Sequence, residues 1–175
     1  RREHFNAKLG LDLSERTRLT LVANVFDQPL SQDPLGLTRE QMQANPRQVD
    51  ASALSQDTRK TIAQNQFGMV LEHRLGSERR LVARLYGGQR AVFQTLATPP
   101  SAQTAATAPG GVVDLDRDYG GVGLQFTQTI RWQTVRLNTT VGLDHDRQRE
   151  WRQGFLNNGG VVGARPLKRW ARRTV

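Results

Sequence analysis

The sequence predicts an all-β protein, an antiparallel meander of about six or seven long strands, and three observations predict it. Apolar residues recur at every second position over most of the chain. Short turns alternate with long loops between these periodic stretches. The apolar spacing is i+2, not the i+3/i+4 of an amphipathic helix.

In the first stretch the odd positions are Phe5, Ala7, Leu9, Leu11 and Leu13, and the even ones His4, Asn6, Lys8, Gly10 and Asp12. Successive side chains of a strand point to opposite faces, so this segment has one apolar and one polar face. Ser14-Glu15-Arg16-Thr17 is a short turn, after which Leu19, Leu21, Ala23 and Val25 resume the apolar face. A third stretch sets Phe67, Met69 and Leu71 against Gln64, Gln66, Gly68 and Glu72. A turn at Gly76-Ser77-Glu78 leads into a fourth, with Leu81, Ala83 and Leu85 opposite Arg84, Gly88 and Arg90. The fifth places Val122, Leu124 and Phe126 opposite Gly121, Gly123, Gln125 and Thr127, and a turn near Thr129–Gln133 follows. The sixth sets Val135, Leu137, Thr139, Val141 and Leu143 against Arg136, Asn138, Thr140, Gly142, Asp144 and Asp146, and residues 159–165 are read as the start of a seventh.

Composition excludes several classes. With no Cys, disulfide scaffolds and thiolate-held zinc or iron–sulfur sites are out, and no apolar run approaches the ~18 residues of a membrane helix. The chain opens Arg1-Arg2-Glu3 with no Met and no signal-peptide pattern, and is read as a piece of something longer. The net charge of +9 is concentrated at one end: residues 147–175 hold eight basic side chains and one acid, Glu150. Aromatic residues make up 6% of the chain, too few to interleave with those cations as base-stacking platforms, so no nucleic-acid partner is expected and the basic end reads as a solvated tail.

The loop rhythm narrows the architecture. Turns after the first, third and fifth strands are short, whereas the connections over roughly residues 28–58, 95–117 and 148–158 are long. Outer-membrane barrels have this asymmetry, with tight periplasmic turns and long extracellular loops. A strand of about 11 residues tilted ~45° climbs roughly 26 Å, the height of the apolar band of such a barrel. A polar face lining a wet lumen then accounts for a hydrophobic share of only 37%. The competing reading is a soluble β-sandwich binding module, whose half-buried sheets alternate in the same way; its inner face would carry more large aromatic and β-branched residues than these Leu, Ala and Val stripes.

The wording of the sequence also carries a resemblance. Phe5-Asn6-Ala7-Lys8-Leu9-Gly10-Leu11-Asp12-Leu13 followed by Thr17-Arg18-Leu19-Thr20-Leu21-Val22-Ala23-Asn24 resembles an early barrel hairpin of TonB-dependent outer-membrane receptors, in particular the ferric-siderophore group. The loop Gln32-Asp33-Pro34-Leu35-Gly36-Leu37-Thr38-Arg39-Glu40-Gln41 is similar to the first long outer loop of that group, and Tyr86-Gly87-Gly88-Gln89-Arg90 and Gly111–Gly121 match further down. The resemblance spans roughly residues 3–163 and implies a segment of a plugged barrel of about 22 strands. Residues 1–165 are then partial barrel, without the family's plug and closing strands, and residues 166–175, which depart from the pattern, a basic irregular tail. It further implies a Gram-negative outer-membrane location, a bilayer, a TonB complex acting through the plug, and a metal chelate such as a ferric siderophore as cargo. A passive or small outer-membrane barrel is the other membrane reading.

Little in the sequence points to catalysis. Asp114, Asp116 and Asp118 have the spacing of the first three ligands of a calcium loop, but Tyr119 stands where Gly is expected and Gln125 where a bidentate Glu belongs, so a plain carboxylate row entering a strand competes with a calcium site. In Asp144-His145-Asp146 alternation separates His145 from both acids, and His4 and His73 are isolated. No nucleophile–base set or phosphate-cradling Gly loop is legible, so no enzyme activity and no cofactor is expected. Function is expected in the loops. Thr38 with Gln41 forms a capping box that opens a short helix running to about Asn45, before Pro46. The uncharged Ala/Thr/Pro stretch from Leu96 to Gly111 is expected to be mobile and able to fold over a ligand. Arg18, Arg84, Arg90 and Arg136 on the polar face are expected to pair structurally or to meet an anionic chelate.

Overall fold

Why these residues form strands is visible in their pairing. The computed structural model describes residues 1–174. The long strands are β1 (Glu3–Ser14), β2 (Thr17–Gln32), β3 (Arg59–Arg74), β4 (Arg79–Thr95), β5 (Val112–Trp132) and β6 (Val135–Phe155). Each is antiparallel to the next, and the single sheet is completed by β9 (Lys168–Thr174) beside β6. The short strands β7 (Asn157–Asn158) and β8 (Val161–Val162) form a separate hairpin. β1 and β9 are both edges, so the described sheet is open.

The registers align like with like. Leu9, Leu21, Met69, Leu85 and Val122 occupy one row across five strands, and Leu11, Leu19, Leu71, Ala83, Leu124 and Leu143 the next. A one-residue slip in any pair would put apolar side chains among polar ones, so the alternation itself sets the register. The apolar face lies open: Phe67 is 58% exposed, Leu137 55% and Leu143 75%. Among the described residues no second sheet or helix layer covers it, contrary to what a β-sandwich requires.

The apolar stripe does not run straight across the sheet. Its midpoint on β1 is Leu9, whose row reaches His145 on β6, yet the midpoint of the β6 stripe (Val135 to Leu143) is Thr139. The stripe therefore slides six residues along the strands over five strand-to-strand steps. At about 3.3 Å per residue and 4.8 Å per strand, this corresponds to strands inclined roughly 40° from the perpendicular to the stripe.

The basic end, expected to be an irregular tail, is strand β9. Residues 148–154 of β6 need partners for their free backbone edge, and Lys168 to Thr174 supply them; the charges alternate on two open faces, where they cost little. Residues 159–165 do not begin the seventh strand. Gly159 and Gly160, both at positive φ, turn the chain between β7 and β8, a geometry that L side chains at both central positions of a two-residue hairpin resist.

Candidate functional site

Two features of the sheet concentrate polar chemistry, the polar face of the strands and the cluster of connections at one end.

On the polar face, glycines set the pattern. Tyr86 on β4 lies across Gly121 of β5, and its hydroxyl donates to Asp146 of β6 at 2.6 Å; a Cβ on Gly121 would sit 2.8 Å from the Tyr86 ring. Arg84 crosses Gly123 in the same way to bind Asp144 at 2.6 Å. Tyr119 reaches back over Gly88 to donate to Gln66 at 3.1 Å. The space the glycines leave is occupied by the wall's own long side chains, which lie flat and join alternate strands.

The predicted arginines divide accordingly. Arg18 pairs with Asp12 (3.7 Å), Arg84 with Asp144, and Arg90 donates to Gln64 at 2.9 Å. Arg136 has no ion pair among the described residues. Nearer the loops, one row runs Gln64, Arg90, Arg117, Glu150 and Arg172 across β3 to β9, with Arg117 forked onto one oxygen of Glu150. Three guanidiniums against one carboxylate leave this row cationic. It borders a depression of about 920 Å³ whose walls also hold Gln66, Tyr86 and Tyr119, and the carboxylates Asp144 and Asp146, already engaged by Arg84 and Tyr86. Amide, phenol and guanidinium groups together suit an anionic, oxygen-rich ligand.

Of the two readings of the acidic row, the strand geometry favours plain carboxylates over a calcium loop. Asp114, Asp116 and Asp118 lie inside β5, which starts at Val112 and not near residue 117, and they point from the same face of an extended strand. Side chains two apart in a strand stand roughly 6.6 Å apart, too far for three carboxylates to close on one ion with bonds of about 2.4 Å. Among the described residues no three His, Cys, Asp or Glu side chains form a metal-holding group. His4 contacts the amides of Asn6 and Asn24, and His73 shares a 2.9 Å hydrogen bond with Thr17.

At the loop end the capping box forms as expected: α1 (Arg39–Ala44) has Thr38 as N-cap, with both reciprocal bonds to Gln41 made. A second helix, α2 (Ala51–Ser55), starts at Asp50, whose carboxylate accepts from the Ser52 hydroxyl and N–H; those bonds hold its pKa below the ordinary value, and the hydrogen bonds from its own backbone N–H and from Thr38 do the same for Glu40. α3 (Pro100–Gln103) lies in the connection expected to be mobile, and it is pinned. Gln103, fully buried, donates to the carbonyls of Thr98 (2.9 Å) and Asn157 (3.1 Å) and accepts from the Asn157 N–H (2.7 Å). Asn157, 1% exposed, donates in turn to Gln56 (2.8 Å) and Leu96 (3.1 Å), and its Oδ1 accepts from Gly160 (2.7 Å). Lys168 caps the carbonyls of Ala105, Ala106 and Ala108. All three long connections are thus tied through two amide side chains. Sequence reasoning missed both; the nearest signal was the turn Asn157-Asn158-Gly159-Gly160, which marks a bend but not its partners.

No protein-family profile matches the chain. The class that geometry alone defines is an open, seven-stranded antiparallel sheet with one bare apolar face, one polar face rich in guanidinium and phenol groups, and a stitched cluster of loops at one end.

Proposed function

We propose that this chain is wall and outer loops of a transmembrane β-barrel in the outer membrane of a Gram-negative bacterium, and that the whole protein is a TonB-dependent receptor carrying a ferric siderophore or similar metal chelate. The observation that carries the membrane part is the uncovered apolar stripe crossing the sheet on a diagonal. Barrel strands tilt by about 35–45°, so a level lipid belt must slant across their registers, and the roughly 40° slant of this stripe fits that requirement. A soluble sheet has no reason to stagger its apolar run in one direction from strand to strand.

The polarity of the ends agrees with this reading. Two-residue turns such as Gln133-Thr134 lie at one end, and the helical connections at the other. Continued to about 22 strands, the polar face would enclose a lumen, and the Arg90–Arg117–Arg172 row beneath the loops would meet an anionic chelate there. The receptor and cargo assignments rest on the sequence resemblance together with that cationic row. Energy coupling would reside in a plug and its TonB contact, outside this chain.

The test is membrane partition followed by uptake. The full-length protein is expected in the outer-membrane fraction, with a band that shifts on heating. Cells expressing it should accumulate iron from one or more labelled ferric chelates only while TonB is functional. Recovery as a folded aqueous monomer would sink the barrel, and TonB-independent flux would leave a passive channel.

A further inference from the structure

The apolar face is not uniform. On one row Gly87 of β4 and Gly120 of β5 are neighbours, so two adjacent strands present bare backbone where Ala23 and Phe67 stand on β2 and β3 and Arg147 on β6. The result is a trough in two adjoining parts that share Leu85. One, of about 540 Å³, is bounded by Leu21, Phe67, Met69 and Leu85; the other, of about 450 Å³, by Leu85, Val122, His145, Arg147 and Arg149. The floor and sides are apolar except for His145 beside Val122 and, at the loop-ward end, Asp118 with the two arginines, a net positive group.

Those arginines sit at an edge of the stripe. Along β6 the outward side chains run Leu143, His145, Arg147, Arg149 and Trp151, and β9 adds Arg173 beside Arg149. The first polar positions above the stripe on the other strands are Asp27, Asn65, Gln89 and Asp118, so the cationic edge is confined to β6 and β9. Asp118 is the register partner of Arg149, yet no ion pair engages Arg147, Arg149 or Arg173 among the described residues. The wall's own packing accounts for Gly120, where a Cβ would come within 3.0 Å of the Tyr86 carbonyl oxygen, but not for Gly87. A Cβ on Gly87 would meet only the Tyr119 carbonyl oxygen, at an ordinary 3.6 Å, and its φ is not in the left-handed region.

We propose that this trough holds one lipid, an acyl chain lying over Gly87 and Gly120 and a phosphorylated headgroup against Arg147 and Arg149, the occupant being an anionic glycolipid of the outer leaflet. The inference rests on the membrane reading above. The chemistry is complementary at both ends: the glycine row is a slot one chain wide next to lipid-facing Leu and Phe, and paired guanidiniums at a membrane boundary attract phosphate. Trp151, 58% exposed on the same face beyond Arg149, is an amphipathic ring of the kind that sits at a headgroup boundary.

The experiment uses the full-length protein extracted from outer membranes in mild detergent, with bound phosphorylated glycolipid counted by mass spectrometry. Two variants act independently: Arg147→Gln with Arg149→Gln removes the headgroup charge, and Gly87→Leu fills the slot while leaving the charge. At about 1 kcal/mol per arginine the first should weaken retention about 30-fold. The second should reduce it to a similar degree, whereas Arg147→Lys with Arg149→Lys should keep most of it. Inorganic phosphate at millimolar concentration should not displace the lipid. Displacement by phosphate would mean an anion site without a chain slot and would overturn the proposal, as would undiminished retention in either loss variant that keeps its heat-modifiable band. Failure of the wild type to reach the outer membrane would instead overturn the membrane reading, a separate observation.

Discussion

The wall and the loop cluster are opposites in how they bury side chains. Among the described residues, every buried one with a side chain is at the loop end: Ala53, Thr58, Thr95, Gln103, Val112, Val113 and Asn157. Between Leu9 and Leu143 the wall puts its large aliphatic residues on an open surface. The loop end is thus a small interior complete within the chain and largely polar, held by directional hydrogen bonds. The wall is held by backbone ladders and relies on something outside the chain, lipid in the proposed reading, to cover its apolar face. Stability at one end is a question of satisfied polar groups and at the other of solvent.

Several substitutions would break or sharpen this contrast. The largest effect is expected from Arg at Leu9, Leu21 or Leu137, each near the middle of the apolar stripe, where a charge facing lipid costs about 2–4 kcal/mol. Unfolding in lipid vesicles should register this loss, while Arg at Asn138 on the opposite face should be nearly silent; equal effects at both positions would erase the two-faced wall. Next comes Asn157→Ala, which strands the carbonyls of Gln56 and Leu96 and the N–H of Gly160 and should cost about 2–3 kcal/mol. Hydrogen exchange should rise in all three long connections together and stay unchanged in β1. If only the β7–β8 turn loosens, the loops do not act as one body.

A smaller effect tests the glycine pattern. Gly121→Ala places a methyl group against the Tyr86 ring and the Asp146 carboxylate and should lift Tyr86 off Asp146, costing about 1–2 kcal/mol. Tyr86→Phe removes the same bond without the clash, so the double variant should be less than additive in a thermal unfolding series. Thr38→Ala, which removes the α1 cap, should cost about 1 kcal/mol, visible as local exchange in residues 39–44. Least of all is the pH effect at Asp50. Its pKa is depressed in the folded loop, so its contribution is complete above the ordinary value of 3.8 and fades as pH falls through the lower folded value. Exchange in α2 should therefore accelerate only in that acid range, and Asp50→Asn should flatten the response.

How far the sequence could be read depended on range. The alternation from Phe5 to Leu13 named the apolar face, and the Thr38–Gln41 box named a helix start, because both signals lie within a few residues of their cause. Asp114, Asp116 and Asp118 left two readings open for the opposite reason. Their spacing fits a loop ligand set, and only the pairing of Val112 with Phe155 shows that the strand has already begun there. The basic end misled because like charges argue for a solvated coil until a neighbouring strand offers its backbone edge. The Leu96–Gly111 stretch has the composition of a flexible linker, but its one amide, Gln103, finds Asn157 more than fifty residues away.

By itself the sequence determined the all-β class, the two faces of each strand and the short-turn, long-loop rhythm, since a period of two and local turn chemistry need no knowledge of partners. The tertiary structure decided which strands end where, the slant of the apolar stripe, the use of glycines as crossings for Tyr86, Arg84 and Tyr119, and the amide stitch between loops. Each of these depends on inter-strand register, which brings together residues that are distant along the chain and so leaves no periodic trace in it.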